Sequence, residues 1–349
     1  MSDIIRVLVV DDSAFVRKVV TQMLGRSPFI EVVGAAHDGQ EALEMVERLE
    51  PDVVTLDLVM PGMDGLEFLR RQMAIRPLPV VMCSISHESG APALEAFELG
   101  AVEFVQKPTA LATDRVFDIA EELVAKVKAA ATVRPALTRR ASAADDAARA
   151  ASVDIPAPGS RRADVVVIGV STGGPQALRE IIPRIPADFP LPVLVVLHMP
   201  IGYTEMYANR LNEISQIRVV EASDGEAITG GTMYLAPAGR HLSLRRVDDG
   251  VQAHLDSRPT DTPHRPAVDV LFRSAAEVYG PRVLAVVMTG MGNDGLMGAA
   301  AVKAKGGRVL TEDESSCIVY GMPRAVAEAG LSDARAPLGD ILRAIMEMV

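Results

Sequence analysis

Short apolar runs alternate with amphipathic stretches from residue 4 to about residue 130. The runs Ile4–Val10, Ile30–Ala35, Val53–Leu58, Val80–Ile85 and Glu103–Val105 have strand length, and most are rich in β-branched residues, so each predicts a β-strand. The segments between them read as helices. In the last, Val116 to about Ala130, Ile119, Leu123 and Val127 recur at i, i+4 and i+8 and give one apolar stripe to lay on a sheet. Successive strand-helix units of this kind predict a parallel, doubly wound α/β sheet of flavodoxin-like type. From about Ala131 to Ala163 the chain turns to Ala, Arg, Ser, Asp and Pro with almost no large apolar residues. Such a segment cannot build a core and predicts a flexible linker with a transiently helical Ala-rich centre.

The strand pattern then resumes. Asp164–Val170, Val193–Leu197, Val283–Met288 and Arg308–Leu310 predict parallel strands of a second α/β domain. Thr232–Ala236, His241–Arg245 and Val251–Leu255 are short and closely spaced, separated by A-P-A-G and V-D-D-G, and predict a small antiparallel hairpin region at one end of that sheet. The expected organisation is a first domain over 1–130, a linker over 131–163 and a second domain over 164–349.

Composition narrows the class. The 349 residues are 49% hydrophobic, enough for a core in each of two domains. A formal net charge of −11 argues against binding nucleic acid by phosphate neutralisation. No uninterrupted apolar run approaches the roughly 18 residues of a membrane span. The N-terminal stretch lacks the layout of a signal peptide, because Asp3, Arg6, Asp11 and Asp12 break it up, so a cytoplasmic protein is expected. Cys83 and Cys317, the two cysteines, fall one in each predicted domain and make neither a disulfide framework nor a thiolate cage.

In the first domain Asp11 and Asp12 follow strand one, Asp57 lies near the end of strand three, Ser84 near the end of strand four, and Lys107 follows strand five. The carboxyl ends of parallel strands share one edge, so these residues converge in one crevice. Clustered carboxylates repel, and Mg²⁺ held by oxygen ligands resolves that repulsion. One carboxylate can then attack a phosphoryl donor, with Lys107 neutralising the phosphoryl oxygens. Any one of these acids alone would read as a solvated loop residue; their joint placement at matching strand ends decides otherwise. With L-D-L-V-M-P-G-M-D-G around Asp57 and Q-K-P around Lys107, this half resembles a two-component receiver domain. The resemblance implies Asp57 as phosphoacceptor, Asp11, Asp12 and Asp57 as Mg²⁺ ligands, Ser84 as a phosphoryl-binding switch residue, Lys107 as its cationic partner and Phe104 as the aromatic switch position.

The second domain offers a different chemistry. Ser171 sits in G-V-S-T-G-G, where the first strand ends and a helix with Pro175 in its first turn begins. The pattern satisfies G-x-S-x-G, whose small residues permit a sharp turn that exposes a nucleophilic hydroxyl. His198 ends the strand L-P-V-L-V-V-L-H and is placed to act as base at the same edge. Asp294, in M-T-G-M-G-N-D-G, is placed to orient His198; the plainer reading is a cap on a helix starting near Gly295, and one residue can do both. The glycines around Met291 make its backbone N–H a candidate oxyanion donor. The order Ser, His, Asp differs from the Ser, Asp, His of α/β-hydrolases.

The blocks I-G-V-S-T-G-G-P, L-H-M-P-I-G-Y-T, E-A-S-D-G-E, Y-L-A-P-A-G-R-H, V-D-V-L-F, M-T-G-M-G-N-D-G and Y-G-M-P-R-A resemble the catalytic domain of CheB-type chemotaxis methylesterases. The resemblance implies Ser171 as nucleophile, His198 as general base, Asp294 as its orienter, Met291 as backbone stabiliser and Thr172 beside the nucleophile, with no cofactor at the esterase site. The implied reaction is hydrolysis of glutamate γ-methyl esters, and deamidation of glutamines, on methyl-accepting chemotaxis receptors. A chemotaxis histidine kinase would phosphorylate Asp57, and the unphosphorylated receiver would cover the Ser171 crevice. An acidic enzyme acting on receptor helices needs local charge complementarity, and Arg210, Arg240 and Arg265 are candidates for it. Leu197 stands where the family commonly has Gln, and T-E-D-E at 311–314 where Q-D-E is usual. The competing readings are a general serine esterase, a catalytically weak receiver-linked scaffold, and a nucleotide-binding domain, which would want the G-K-[ST] ending that G-V-S-T-G-G lacks.

Overall fold

Runs of Val, Ile and Leu long enough to be apolar on both faces are satisfied in a parallel sheet between helices, and both halves of the chain take that solution. The computed structural model describes residues 4–84, 90–107, 115–133 and 163–349, except the side chains at 84, 90, 106 and 115–118. It separates into two compact units, Met1–Ser142 and Ala143–Val349.

In the N-terminal unit, β1 (Ile5–Val10), β2 (Ile30–Ala36), β3 (Val53–Leu56), β4 (Val80–Ser84) and β5 (Glu103–Gln106) form one sheet in the order β2-β1-β3-β4-β5. Every pairing is parallel. The order reverses at β1, so the crevice lies at the carboxyl ends of β1 and β3. The helix Arg115–Ala131 buries Leu123 and Val127 and half-buries Ile119, as its periodicity requires. β3 is two residues shorter than expected: its ladder with β4 stops at Leu56↔Met82, which frees Asp57 to turn its carboxylate into the crevice. Ile85 and most of the expected linker lie outside the described residues.

In the C-terminal unit, β6 (Val165–Val170), β7 (Val193–Leu197), β8 (Arg218–Glu221), β9 (Thr232–Leu235), β12 (Val283–Val287), β13 (Arg308–Glu312) and β14 (Ala334–Ala336) form a sheet in the order β14-β13-β12-β6-β7-β9-β8, while β10 (His241–Val247) and β11 (Gly250–Asp256) make a separate antiparallel pair. All pairings in the seven-stranded sheet are parallel. β6, β7 and β12 are buried along their whole length, which is why they read as continuous apolar runs.

Two expectations are corrected here. Thr232–Leu235 belongs to the parallel sheet between β7 and β8 and not to the hairpin region: all four residues are buried, so the strand needs neighbours and cover that a surface hairpin does not give. β13 runs two residues past Leu310, because Thr311 and Glu312, although polar, are fully buried and hydrogen-bonded. β8 and β14, short and partly charged, carried no apolar pattern to announce them. The reversal of strand order falls at β6, and its carboxyl end, flanked by those of β7 and β12, is where Ser171, His198 and the Asp294 loop come together.

Candidate active site and acidic pocket

Ser171 leaves β6 with its N–H donating to Thr289 O at 3.0 Å, and its own carbonyl accepts Gly174 N–H at 2.6 Å, closing a tight turn into the helix Gly174–Ile181. Gly173 takes φ +77°, and a Cβ there would meet Ile318 at 2.7 Å, so the turn demands glycine on both counts. Gly290 is demanded by proximity: a Cβ on it would lie 2.8 Å from Ser171 Cβ and 2.4 Å from Met322 Sδ. Thr172 is buried, and its carbonyl accepts the hydroxyl of Thr289 at 2.9 Å.

His198 follows β7. The pairing Val170↔Leu197, with His198 N–H on Val170 O at 3.2 Å, makes Ser171 and His198 the next residues on adjacent strands, where neighbouring chains run about 4.8 Å apart. His198 Nε2 lies 2.9 Å from Asp294 Oδ2. Nδ1 is buried and has no hydrogen-bond partner, so the ring is assigned the tautomer that donates from Nε2 and keeps a free lone pair on Nδ1. Among the described residues no hydrogen bond joins Ser171 to His198. The exposed ring of His264 stacks on the His198 imidazole, with centroids 4.1 Å apart and 25° between planes.

Asp294 does not cap the helix that begins after Gly295. Its Oδ1 accepts Asp269 N–H at 2.9 Å and its Oδ2 accepts Val268 N–H at 2.8 Å, so it caps the helix Val268–Tyr279 from a distant loop. Burial alone would raise the Asp294 carboxyl; the hydrogen bond from His198, the attraction of that ring once protonated, and the N–H groups of Asp269 and Val268 outweigh it and hold the pKa below the ordinary value. The group is therefore a carboxylate at neutral pH, suited to stabilise an imidazolium. Met291 is half-buried in the same loop. Arg210 is exposed on the helix Thr204–Ile214, Arg240 donates to Leu255 O at 2.6 Å, and Arg265 is half-buried next to the cis Pro266.

In the N-terminal unit, Asp11, Asp57 and Lys107 are buried together, with Lys107 Nζ 2.6 Å from Asp11 Oδ2 and 2.5 Å from Asp57 Oδ2. Ligand oxygens of Asp11, Asp12 and Asp57 lie within 4.8 Å of one another, a spacing and donor set that suit a hard divalent cation. Burial pushes the Asp57 carboxyl above the usual range, with the Asp11 charge adding and Lys107 opposing. Burial would lower the Lys107 ammonium, but Asp11 and Asp57 prevail and raise it, so it stays charged. Phe104 is fully buried, and the Ser84 backbone pairs with Gln106 at the end of β4.

Sequence reasoning assigns no role to Thr289, Asp269 or His264, and meets Glu312 only as part of the T-E-D-E departure. Asp269 had a signal in retrospect, an acid in the first turn of a helix. His264 had none beyond its residue type.

One unit thus has a metal-ready carboxylate pocket of the phosphoacceptor kind, and the other a Ser-turn, His and Asp cluster of the acyl-transfer hydrolase kind. The CheB methylesterase model matches residues 166–345 and the response regulator receiver domain model residues 7–116. The chain is 50% identical to a protein-glutamate methylesterase/protein-glutamine glutaminase of Myxococcus xanthus, covering 97% of this chain and 96% of that one. It is 42% identical to the protein of the same name from Bacillus subtilis, covering 99% and 98%. The CheB methylesterase catalytic domain of Thermotoga maritima superposes with a TM-score of 0.53 at 44% identity, covering 54% of this chain and 99% of that one. The chain belongs to the CheB methylesterase family, enzymes of the hydrolase class, and carries a receiver domain at its N-terminal end. Among the described residues no helix is long and apolar enough to cross a membrane.

Proposed function

We propose that this protein is a cytoplasmic, phosphorylation-regulated esterase that removes methyl groups from glutamate γ-methyl esters, and deamidates glutamines, on methyl-accepting chemotaxis receptors. Residues 1–130 act as receiver, 131–163 as linker and 164–349 as esterase. The observation that supports it most is the His198–Asp294 hydrogen bond one strand away from Ser171, with the remaining imidazole nitrogen unpartnered.

Ser171 Oγ attacks the ester carbonyl and its proton passes to His198 Nδ1, while Asp294 stabilises the imidazolium through Nε2–H. Met291 N–H serves the tetrahedral oxyanion, and Thr172 supports the turn. Collapse of the intermediate returns the proton to the methoxide, which leaves as methanol. Water repeats the cycle on the acyl-Ser171 and releases the glutamate carboxyl. With a glutamine side chain the leaving group is ammonia, and no other step changes.

Regulation enters at Asp57, phosphorylated by a chemotaxis histidine kinase. Mg²⁺ held by Asp11, Asp12 and Asp57 would neutralise phosphoryl charge during transfer. Lys107 and Ser84 contact the phosphoryl group, and Phe104 takes the switch position. Phosphorylation then relieves a restraint of the receiver on the esterase.

The test is methanol release from methylated receptor membranes by wild type and Ser171→Ala, each with and without Mg²⁺ and a small phosphodonor. Release that needs Ser171 and rises with the phosphodonor supports the whole reading. Equal rates for residues 160–349 and the full chain, together with no effect of Asp57→Ala, would remove the restraint. No release by wild type would favour the scaffold alternative.

A further inference from the structure

We infer that Glu312 is a positioning residue for the nucleophile turn, holding Ser171 and Thr172 in place through Thr289. The inference rests on Ser171 being the nucleophile. Glu312 ends β13 and is fully buried, yet has no part in the proton transfers above. Its Oε2 accepts Thr289 N–H at 2.8 Å and its Oε1 accepts the Ser316 hydroxyl at 2.9 Å.

Thr289 is where both halves of the nucleophile turn end. Its carbonyl accepts Ser171 N–H at 3.0 Å, and its hydroxyl donates to Thr172 O at 2.9 Å while accepting Val319 N–H at 3.0 Å. Ser171 Oγ is thus aimed by a turn whose N–H and next carbonyl are both fixed by one residue, and that residue's own N–H has Glu312 as acceptor. In a buried strand-end loop that N–H needs a partner, and removing the acceptor forces the Thr289 peptide to turn or shift. A shift there passes to Ser171 directly, since no other element intervenes. The position demands an acceptor, not a charge: Gln, the residue the family resemblance leads one to expect here, offers the same carbonyl oxygen.

The experiment compares Glu312→Gln, Glu312→Ala, Thr289→Val and Ser171→Ala in the full-length protein. It reads kcat and KM for methanol release from methylated receptor membranes, the rate of phosphonylation by a serine-directed fluorophosphonate, and the melting temperature. Glu312→Gln is expected to keep kcat within about threefold, whereas Glu312→Ala lowers both kcat and the phosphonylation rate by roughly 10- to 100-fold with KM little changed, the scale of a nucleophile misplaced by about an ångström. Thr289→Val, which loses only the hydroxyl links, should fall between them. Glu312→Ala with wild-type kcat, Glu312→Gln falling as far as Glu312→Ala, or a loss confined to KM would each overturn the inference. If Glu312→Ala does not fold, wild-type kcat in Thr289→Val overturns it. Full activity in Ser171→Ala would instead remove the nucleophile assignment, a result distinct from an inactive Ser171→Ala beside an unaffected Glu312→Ala.

Discussion

Asp294 and Asp269 exchange helix caps. Asp294 accepts the N–H groups of Val268 and Asp269 at the start of one helix, and Asp269 Oδ1 accepts Gly295 N–H at 3.0 Å and Gly298 N–H at 2.6 Å at the start of the next, Leu296–Ala304. The carboxylate that faces His198 is therefore fixed by two N–H groups at one helix N-terminus, and the residue after it is fixed by Asp269. Helix-end N–H groups favour negative charge, which also suits an anionic Asp294. Asp269→Ala removes the second cap and should cost about 1–2 kcal/mol of stability. It should also lower kcat by roughly 10-fold, because a loop that drifts by a fraction of an ångström misplaces Asp294. Asp269→Asn keeps an acceptor oxygen and should recover most of both. Thermal melting and methanol-release kinetics on the two variants check this; equal kcat in both would detach Asp269 from the site.

Asp294→Asn is expected to be far more damaging than its shape suggests. An amide can still accept one backbone N–H, but it cannot hold a proton-donating Nε2 and two helix N–H groups with the same two oxygens, and it has no charge to set against an imidazolium. The loss in kcat should be about 10³- to 10⁴-fold with KM nearly unchanged, the range expected when the base loses its tautomer. A loss of tenfold or less would mean that His198 is oriented mainly by its stack on His264.

That stack can be separated from charge. His264 covers one face of the His198 ring, and burying an imidazole face against another ring restricts its rotation. His264→Phe keeps an aromatic face and should hold kcat/KM within about threefold, whereas His264→Ala should lower it about 5- to 10-fold. If Phe is as poor as Ala, the role of His264 is polar, and the pH dependence of kcat/KM in the two variants would show where.

The contrast between these residues explains what the sequence revealed. Ser171, His198, Asp11 and Asp57 follow strands whose apolar runs are unmistakable, Lys107 follows the short strand E-F-V-Q, and the parallel topology then brings their ends to one edge. The shared edge needs no side-chain detail to predict. Asp269 and Glu312 act through backbone partners more than 20 residues away in sequence, so no local pattern encodes them. β9 reads as part of a hairpin for a related reason: turn residues on both sides imitate one, and only the burial of Thr232–Leu235 between β7 and β8 distinguishes a sheet strand. β13 looked shorter than it is because Glu312 resembles a loop residue until its acceptor role is seen. Asp294 is a helix cap as well as the partner of His198, but the helix it caps begins at Val268 and not after Gly295.

The acidic pocket gives a prediction in the other unit. Lys107 lies against both Asp11 and Asp57, and without it the two buried carboxylates would face each other unneutralised. Lys107→Met should raise the Asp57 pKa further, slow acid-labile phosphorylation by a small phosphodonor, and leave Mg²⁺ binding measurable by calorimetry. Asp57→Asn should abolish the phosphorylation, and chelation of Mg²⁺ should do the same in wild type. Phosphorylation of Asp57→Asn at the wild-type level would move the acceptor elsewhere.

Glu312 also makes stability depend on pH in a direction opposite to that of most paired carboxylates. Its pKa is pushed up to about 7 by burial, with the Glu180 charge adding, against the Thr289 N–H, the Ser316 hydroxyl and the Cys317 thiol, which favour the anion. In the unfolded chain it titrates near 4.5. The folded state therefore binds the proton more tightly, so stability falls as pH rises from about 4.5 through about 7 and is level above that. Glu312→Gln does not titrate and escapes this loss. Its stability relative to wild type, followed by thermal melting, should rise between pH 5 and pH 8 by up to about 3 kcal/mol, the cost of ionising a buried carboxyl raised from 4.5 to about 7. Asp294 behaves in the opposite sense: its lowered pKa contributes stability above pH 3.8 that is lost only as pH falls below it, so it does not move across this window. A difference between Glu312→Gln and wild type that stays constant from pH 5 to pH 8 would mean that the buried carboxyl keeps one protonation state throughout, and the acceptor pair of Thr289 and Ser316 would then have to be re-read with that state fixed.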